Sequence, residues 1–244
     1  MSDACYVYGL VRADLSVPPD LTGLDGAPVE LLTQEGLGAL VSAAPTERPL
    51  GTRDDLFAHE QVVDSVAAVA TVLPMRFGSV VERSAVMDEL LAPHRDELVG
   101  SLDELDGHVQ YTVKGRFQQD VVLREVILED PEIARLRERV QGVPEEASYQ
   151  DRLRLGELVV GALEDRGQRE GRRMHEALSG LAAASVARPS GDPEQLLDSA
   201  FLVPRDRVEE FEQAVDRLGS ETAGSVRFRL IGPLAPYDFV SAER

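Results

Sequence analysis

Histidine and cysteine, the side chains most often used for acid–base, nucleophilic and zinc chemistry, are few in this chain. Its 244 residues hold four histidines, His59, His94, His108 and His175, and one cysteine, Cys5. His59-Glu60 opens as a zincin helix would, but the position one turn on is Val63, so the second ligand is missing. Scattered histidines and a single cysteine supply no zinc set. Cys5 lies in an apolar run and reads as a buried, inert thiol. Gly36-Leu37-Gly38 has no glycine three positions on and no helix start behind it, so the dinucleotide fingerprint is absent. The only lysine, Lys114, is followed by Gly115, which rules out a Walker loop. No Gly-x-Ser-x-Gly elbow presents a serine. Carboxylates are plentiful, yet most sit beside arginines at helical spacing, as on a solvated face, and no acid/base pair stands out. The expectation is a chain with no catalytic residue, no metal site and no cofactor, and not an enzyme.

The bulk properties narrow the partners. Net charge is −19 and the pI near 4.6, which argues against a phosphate-backbone binder and against docking on an anionic membrane. It favours solubility and self-repulsion, properties that suit a protein handling a sticky partner. Hydrophobic content of 43% is ordinary for a globular chain, and no apolar run approaches the ~20 residues of a membrane span. The first residues lack the basic-then-apolar order of a secretory signal, and one cysteine makes no internal disulfide. A cytoplasmic protein is expected.

The elements that would position any site follow from periodicity. Cys5 to Val11 reads as a buried strand, and Val29–Leu32 with Leu37–Ser42 as a hairpin turning at Thr33–Gly36. Thr52 or Asp54 caps a helix whose apolar face takes in Leu56, Val62, Val63, Val66, Val69 and Ala70. Val72–Val81 is extended, with Pro74 placing it at a sheet edge or bend. Ser84 caps a further helix through Val86, Leu90, Leu91, Leu98 and Leu102 that Pro93 kinks or divides. After Asp106-Gly107 comes a strand, His108–Phe117, and then a helical stretch from Asp120 to Val140 interrupted by Pro131. A long helix is expected from Glu145 to about Val186, a strand at Ser199–Val203 and a short helix from Pro204 to Leu218. Val226, Phe228 and Leu230 alternate with Arg227 and Arg229 in a last strand that Gly232-Pro233 ends, since proline has no N–H to give. The two halves are both α+β patterns, with a boundary near residue 105. Beyond the last strand, Tyr237 and Phe239 put two of the chain's twelve aromatic residues in a stretch held stiff by Pro233 and Pro236, so this tail is expected to dock on its own chain or on a partner.

Read together, several stretches form an ordered series. They are Tyr6-Val7-Tyr8-Gly9-Leu10-Val11, Gly38-Ala39-Leu40-Val41-Ser42, His59-Glu60, Val72-Leu73-Pro74-Met75-Arg76-Phe77-Gly78-Ser79, Val113-Lys114, Ala200-Phe201-Leu202-Val203 and Gly232-Pro233…Pro236-Tyr237-Asp238-Phe239-Val240. In order and spacing the series resembles the gas vesicle protein family GvpL/GvpF over nearly the whole chain. The Leu-Pro-x-Arg-Phe-Gly segment and the Gly-Pro…Pro-Tyr-x-Phe tail are its most specific pieces. The chain departs where the family tail commonly carries Trp-Pro, here Leu234-Ala235, and where the family commonly carries Glu-Trp, here Gln110-Tyr111. It has no tryptophan, so no role particular to an indole carries over.

The resemblance implies a gas vesicle accessory or structural protein, not an enzyme, that takes part in vesicle assembly by contacting the hydrophobic shell protein GvpA and other accessory proteins. It implies two α+β domains, residues 1–105 and 106–232, the second a modified ferredoxin-like arrangement, with an extended C-terminal tail, 233–244, packing on the first. The family motif falls here on Pro74, Arg76, Phe77, Gly78, Lys114, Gly232, Pro233, Pro236, Tyr237 and Phe239. Their glycines and prolines fit backbone shaping and their phenylalanines fit packing. Arg76 and Lys114 fit a polar seam between the domains, and direct contact with a partner is the other use open to the set. A different class, a small-molecule-sensing ferredoxin-like regulatory module, is the competing reading.

Overall fold

In a computed structural model, which describes residues 4–240 apart from Gly191, Pro193 and Ala223, strand β1 (Ala4–Arg12) is buried along nearly its whole length. Its β-branched and aromatic residues suit a strand covered on both faces. It pairs antiparallel with β3 (Leu37–Ala43) on one side, and on the other with β4 (Leu73–Pro74) and β5 (Val80–Glu82). β2 (Glu30–Gln34) completes the sheet beside β3. Glu35 and Gly36, both with positive φ, make the two-residue turn of the β2–β3 hairpin.

The register of β1 on β3 slips between Val7 and Gly9, leaving Tyr8 as the extra residue of a bulge. The slip reverses the alternation of faces. Cys5, Val7 and Leu10 join one core, while Tyr6, Tyr8 and Val11 join the other. The first core receives Leu98, Leu102 and Leu105 of helix α3 (Arg95–Leu105). The second receives Val62, Val63 and Val66 of helix α1 (Arg53–Ala67). Between α1 and α3, a single turn α2 (Arg83–Ala85) runs into a π-helical turn, Val86–Leu91.

The described residues divide into two compact units. One takes in everything up to Tyr111, together with Leu202–Arg205 and the tail from Gly232; the other takes Thr112–Phe201 and Asp206–Ile231. The elements still to be placed are strand β6 (His108–Phe117), helices α4 (Gln119–Glu129), α5 (Pro131–Val140) and α6 (Glu145–Ser179), strands β7 (Ala184–Ala187) and β8 (Gln195–Pro204), helix α7 (Val208–Glu221) and strand β9 (Val226–Leu234). The sheet order is β7-β8-β6-β9. Asp130 caps α5, accepting the N–H groups of Glu132 and Ile133, and Pro131 fills the first helical position, where its missing N–H costs nothing. Arg166 of α6 reaches Glu125 and Glu129 of α4.

Four sequence expectations are corrected. The long helix ends at Ser179 rather than near Val186, because Ala184–Ala187 pairs beside β8 as a short strand. Ser84 is not a cap: it lies inside α2, whose preceding residue, Glu82, makes no side-chain capping bond. Helix α1 stops at Ala67, so Val69 lies exposed beyond its end, and Leu56, within the helix, points to solvent rather than lying on its buried face. Pro233 does not end the last ladder. It lies within β9, an edge strand, where a proline without an N–H can face away from the sheet.

Candidate functional site

Helix α1 is fixed at its start by a capping box. The Thr52 hydroxyl accepts the Asp55 N–H at 3.2 Å, and the Asp55 carboxylate accepts the Thr52 and Gly51 N–H groups at 3.0 Å. Arg48 then grips Asp55 through both oxygens, at 2.5 and 2.9 Å, and Asp25 at 2.5 Å. With the guanidinium as main cause and these N–H bonds adding to it, the Asp55 carboxyl is held far below the usual carboxylate range. One turn beyond Asp55 on the same face comes His59, only 3% exposed.

His59 is the centre of an aromatic cluster. Tyr6 and Tyr8 project to it from the same face of β1, with ring centroids 5.6 and 5.8 Å away, and Phe77 stands edge-on at 5.8 Å. Both ring nitrogens are engaged: Nδ1 lies 2.9 Å from the Tyr6 hydroxyl and Nε2 lies 2.8 Å from the Tyr237 hydroxyl. A neutral imidazole has one donor and one acceptor, so it must serve the two hydroxyls in opposite senses. Burial depresses its pKa to about 4, opposed only by the Met75 carbonyl, so the ring is neutral near pH 7. The Tyr6 hydroxyl also accepts the Gly78 N–H at 3.0 Å. Tyr8 is tied elsewhere, to the Ser42 hydroxyl at 2.8 Å and the Leu24 N–H at 2.9 Å. Burial pushes Tyr6 up to about 12. Tyr237 is raised too, by enclosure of its hydroxyl and then by the negative charge of Asp64, although 39% of the residue remains exposed.

Chemically this is a saturated network. Its imidazole resists protonation, its phenols resist ionisation, and each of their polar atoms already has a hydrogen-bond partner. Among the described residues no group of three or more His, Cys, Asp or Glu could hold a metal ion. What the network can do is hold strand, helix and tail in register.

The tail makes further bonds of the same kind. The Ala235 N–H donates to Asp64 at 2.8 Å, and Gln110 clamps Asp238 by donating to its carboxylate at 2.6 Å while accepting its N–H at 3.2 Å. An amide at residue 110 can do both, whereas a carboxylate there would have no proton to give. Ala235 is fully buried in the core under α1, and Phe239 and Val240 pack against the other core.

Of the residues assigned to the site from the sequence, Phe77 and Tyr237 meet at His59, and Gly78 joins through the Tyr6 hydroxyl. Pro74 is buried in β4, paired with Gly9. Gly78 has φ 91°, which favours glycine. Gly232 lies against Tyr111, where an added Cβ would stand 2.5 Å from the ring. Pro236 is buried and precedes the final turn, Tyr237–Phe239, whereas Pro233 is exposed. Arg76 is exposed, and its carbonyl accepts from the Ser79 N–H and hydroxyl. Lys114 belongs to the other unit, 3.2 Å from Asp198 on β8. Tyr6, Tyr8 and His59 stand in the ordered series of landmarks, with His59 weighed only as a metal ligand, and none of the three was assigned to the site. The available signals were the two tyrosines at strand spacing and a histidine on the apolar face of an amphipathic helix.

Residues 4–241 match the family described as gas vesicle synthesis protein GvpL/GvpF. The chain is 36% identical over 242 residues to gas vesicle protein F of Streptomyces sp. (strain CB03234), covering 96% of this chain and 98% of that protein. It is 32% identical over 264 residues to gas vesicle protein L of the same strain, covering 96% and 91%. The crystal structure of the gas vesicle protein GvpF from Anabaena sp. PCC7120 superposes with a TM-score of 0.84 at 25% identity, covering all of both chains.

Proposed function

The chain belongs to the GvpL/GvpF family of gas vesicle synthesis proteins, and from that premise we propose that it acts as an accessory protein of vesicle assembly, contacting the shell protein GvpA and other accessory proteins in the cytoplasm and at the vesicle. The observation that carries the proposal is the continuous family match over residues 4–241. The family is not a known enzyme family, and we assign this member no catalytic role. The net charge of −19 supports a handling role, because a self-repelling protein can keep an apolar shell subunit from aggregating. In this reading residues 1–105 and 106–232 are two domains, the second ferredoxin-like, and the motif residues of the Pro74–Gly78 segment and of the tail shape and clasp the first domain rather than touch the partner. Among the described residues no helix is long and apolar enough to cross a membrane.

The test is co-expression with GvpA and affinity capture, paired with deletion of the gene from a vesicle-forming host that lacks a paralogue. Capture of GvpA and a loss of vesicles are expected. Normal vesicles in the deletion strain, or no capture of GvpA, would overturn the proposal.

A further inference from the structure

Helix α6 is apolar on two faces, and only one of them is covered. Leu155, Leu158 and Ala162 are partly buried. At 100° per residue, Tyr149, Leu153, Gly156 and Val160 fall on a separate stripe, nearly opposite. Their spacing of four, three and four residues is that of a coiled-coil seam. Tyr149 is 60% exposed, Leu153 51% and Val160 53%, so this is a row of large apolar side chains in solvent rather than a single one. Glycines at 156 and 161 lower the surface between them, and shallow grooves run along it, one lined by Leu153, Gly156 and Val160 and another by Tyr149.

The rim of the seam selects among occupants. Glu145, Glu146, Glu157 and Glu164 line these grooves and are all exposed. Two arginines border the rim: Arg152 turns its guanidinium back to the Ser148 hydroxyl and to the carbonyls of Val140 and Val143, and Arg154 lies 3.7 Å from Glu157, so the four glutamates outnumber the cations and the rim stays acidic. A second copy of this chain would bring the same acidic rim and a further charge of −19, so like charges would meet across the seam. An occupant with the opposite charge would not meet that repulsion.

We propose that this face of α6 is a docking groove for a partner's amphipathic helix whose apolar seam is flanked by lysine or arginine. Leu153 and Val160 supply the apolar contact, Gly156 allows close approach, and the glutamates set the orientation and the preference for a basic partner. The inference stands apart from the shell-protein reading, since it rests on the geometry and charge of α6 alone.

Two synthetic peptides of about three heptads, with leucine at the seam positions and either lysine or glutamate flanking them, test it against the full-length protein by fluorescence anisotropy. The lysine peptide is expected to bind saturably, with affinity falling as salt rises, and the glutamate peptide to bind at least about tenfold more weakly. Leu153→Asp with Val160→Asp, at exposed positions that leave the thermal midpoint in place, should weaken the lysine peptide by about tenfold or more. Glu157→Lys with Glu164→Lys should reverse the preference between the peptides. Equal binding of both peptides, no binding of the lysine peptide, or binding indifferent to the aspartate pair would overturn the proposal. So would self-association by sedimentation equilibrium that the aspartate pair abolishes, because the occupant would then be a second copy.

Discussion

His59 owes its neutrality to burial, and that makes acid a specific reagent for this site. Its pKa is about 4 in the folded chain against 6.5 for the free side chain. Between those values the unfolded chain binds the proton and the folded chain does not, so stability rises with pH across this window. The contribution is fully present above pH 6.5 and lost as pH falls through 4. The shift corresponds to about 3 kcal/mol. Asp64 works in the opposite sense: burial raises its carboxyl pKa, with the Ala235 N–H pulling it back, so the folded chain takes up its proton first as pH falls. Comparing wild type with His59→Gln removes the Asp64 term to first order. Urea unfolding from pH 7 to 4 should show a steep loss for the wild type and a loss smaller by about 3 kcal/mol for the variant. Parallel curves would mean that His59 is not held neutral as described.

Helix α1, which carries His59, is held at both ends by side chains from different sources. Its start is the Thr52 capping box. Its last turn has no basic residue of its own; the cation comes from Arg205, which donates to the carbonyls of Ala67, Ala68 and Ala70. Thr52→Ala should cost about 1 kcal/mol and Arg205→Ala about 1–2 kcal/mol, measured by chemical denaturation, with the two losses adding because the sites share no partner. The first of these devices was legible in part: the sequence offered Thr52 or Asp54 as the cap, and the reciprocal bond from Asp55 decides for Thr52. The second was not, because Arg205 lies 137 residues from Ala68. The same divide runs through the other elements. The β2–β3 hairpin and the Asp130-Pro131 start of α5 are local patterns and could be read directly. β7 is Ala-Ser-Val-Ala, a sequence that continues a helix as readily as it makes a strand, and only its place beside β8 decides the matter. Pro233 misled for a related reason: whether a proline breaks a ladder depends on which edge of the strand is free, and that is a property of the sheet.

At the scale of the molecule, the first unit is assembled from three separated parts of the chain, and its tail is the piece added last in sequence. Tyr237 is 178 residues from His59, and Asp238 is 128 residues from Gln110. The sequence marked the tail through its aromatics and prolines, but no local pattern joined it to His59 on α1 or to Gln110 on β6. If the tail is structural, two changes should differ in size. Tyr237→Phe removes one hydroxyl bonded to a buried imidazole and should cost about 1–2 kcal/mol. Deleting residues 233–244 removes that bond, the Ala235–Asp64 and Gln110–Asp238 bonds and the packing of Ala235, Phe239 and Val240, and should cost at least about 3 kcal/mol. Urea midpoints measure both, and amide exchange in α1 should quicken in the truncated chain, because Asp64 and His59 lose their partners. Should truncation abolish folding, Tyr237→Phe still reads the His59 contact alone. A truncated chain that melts unchanged, with α1 as protected as before, would mean that the tail does not stabilise this unit, and Tyr237 and Phe239 would then be better explained as contacts for a partner.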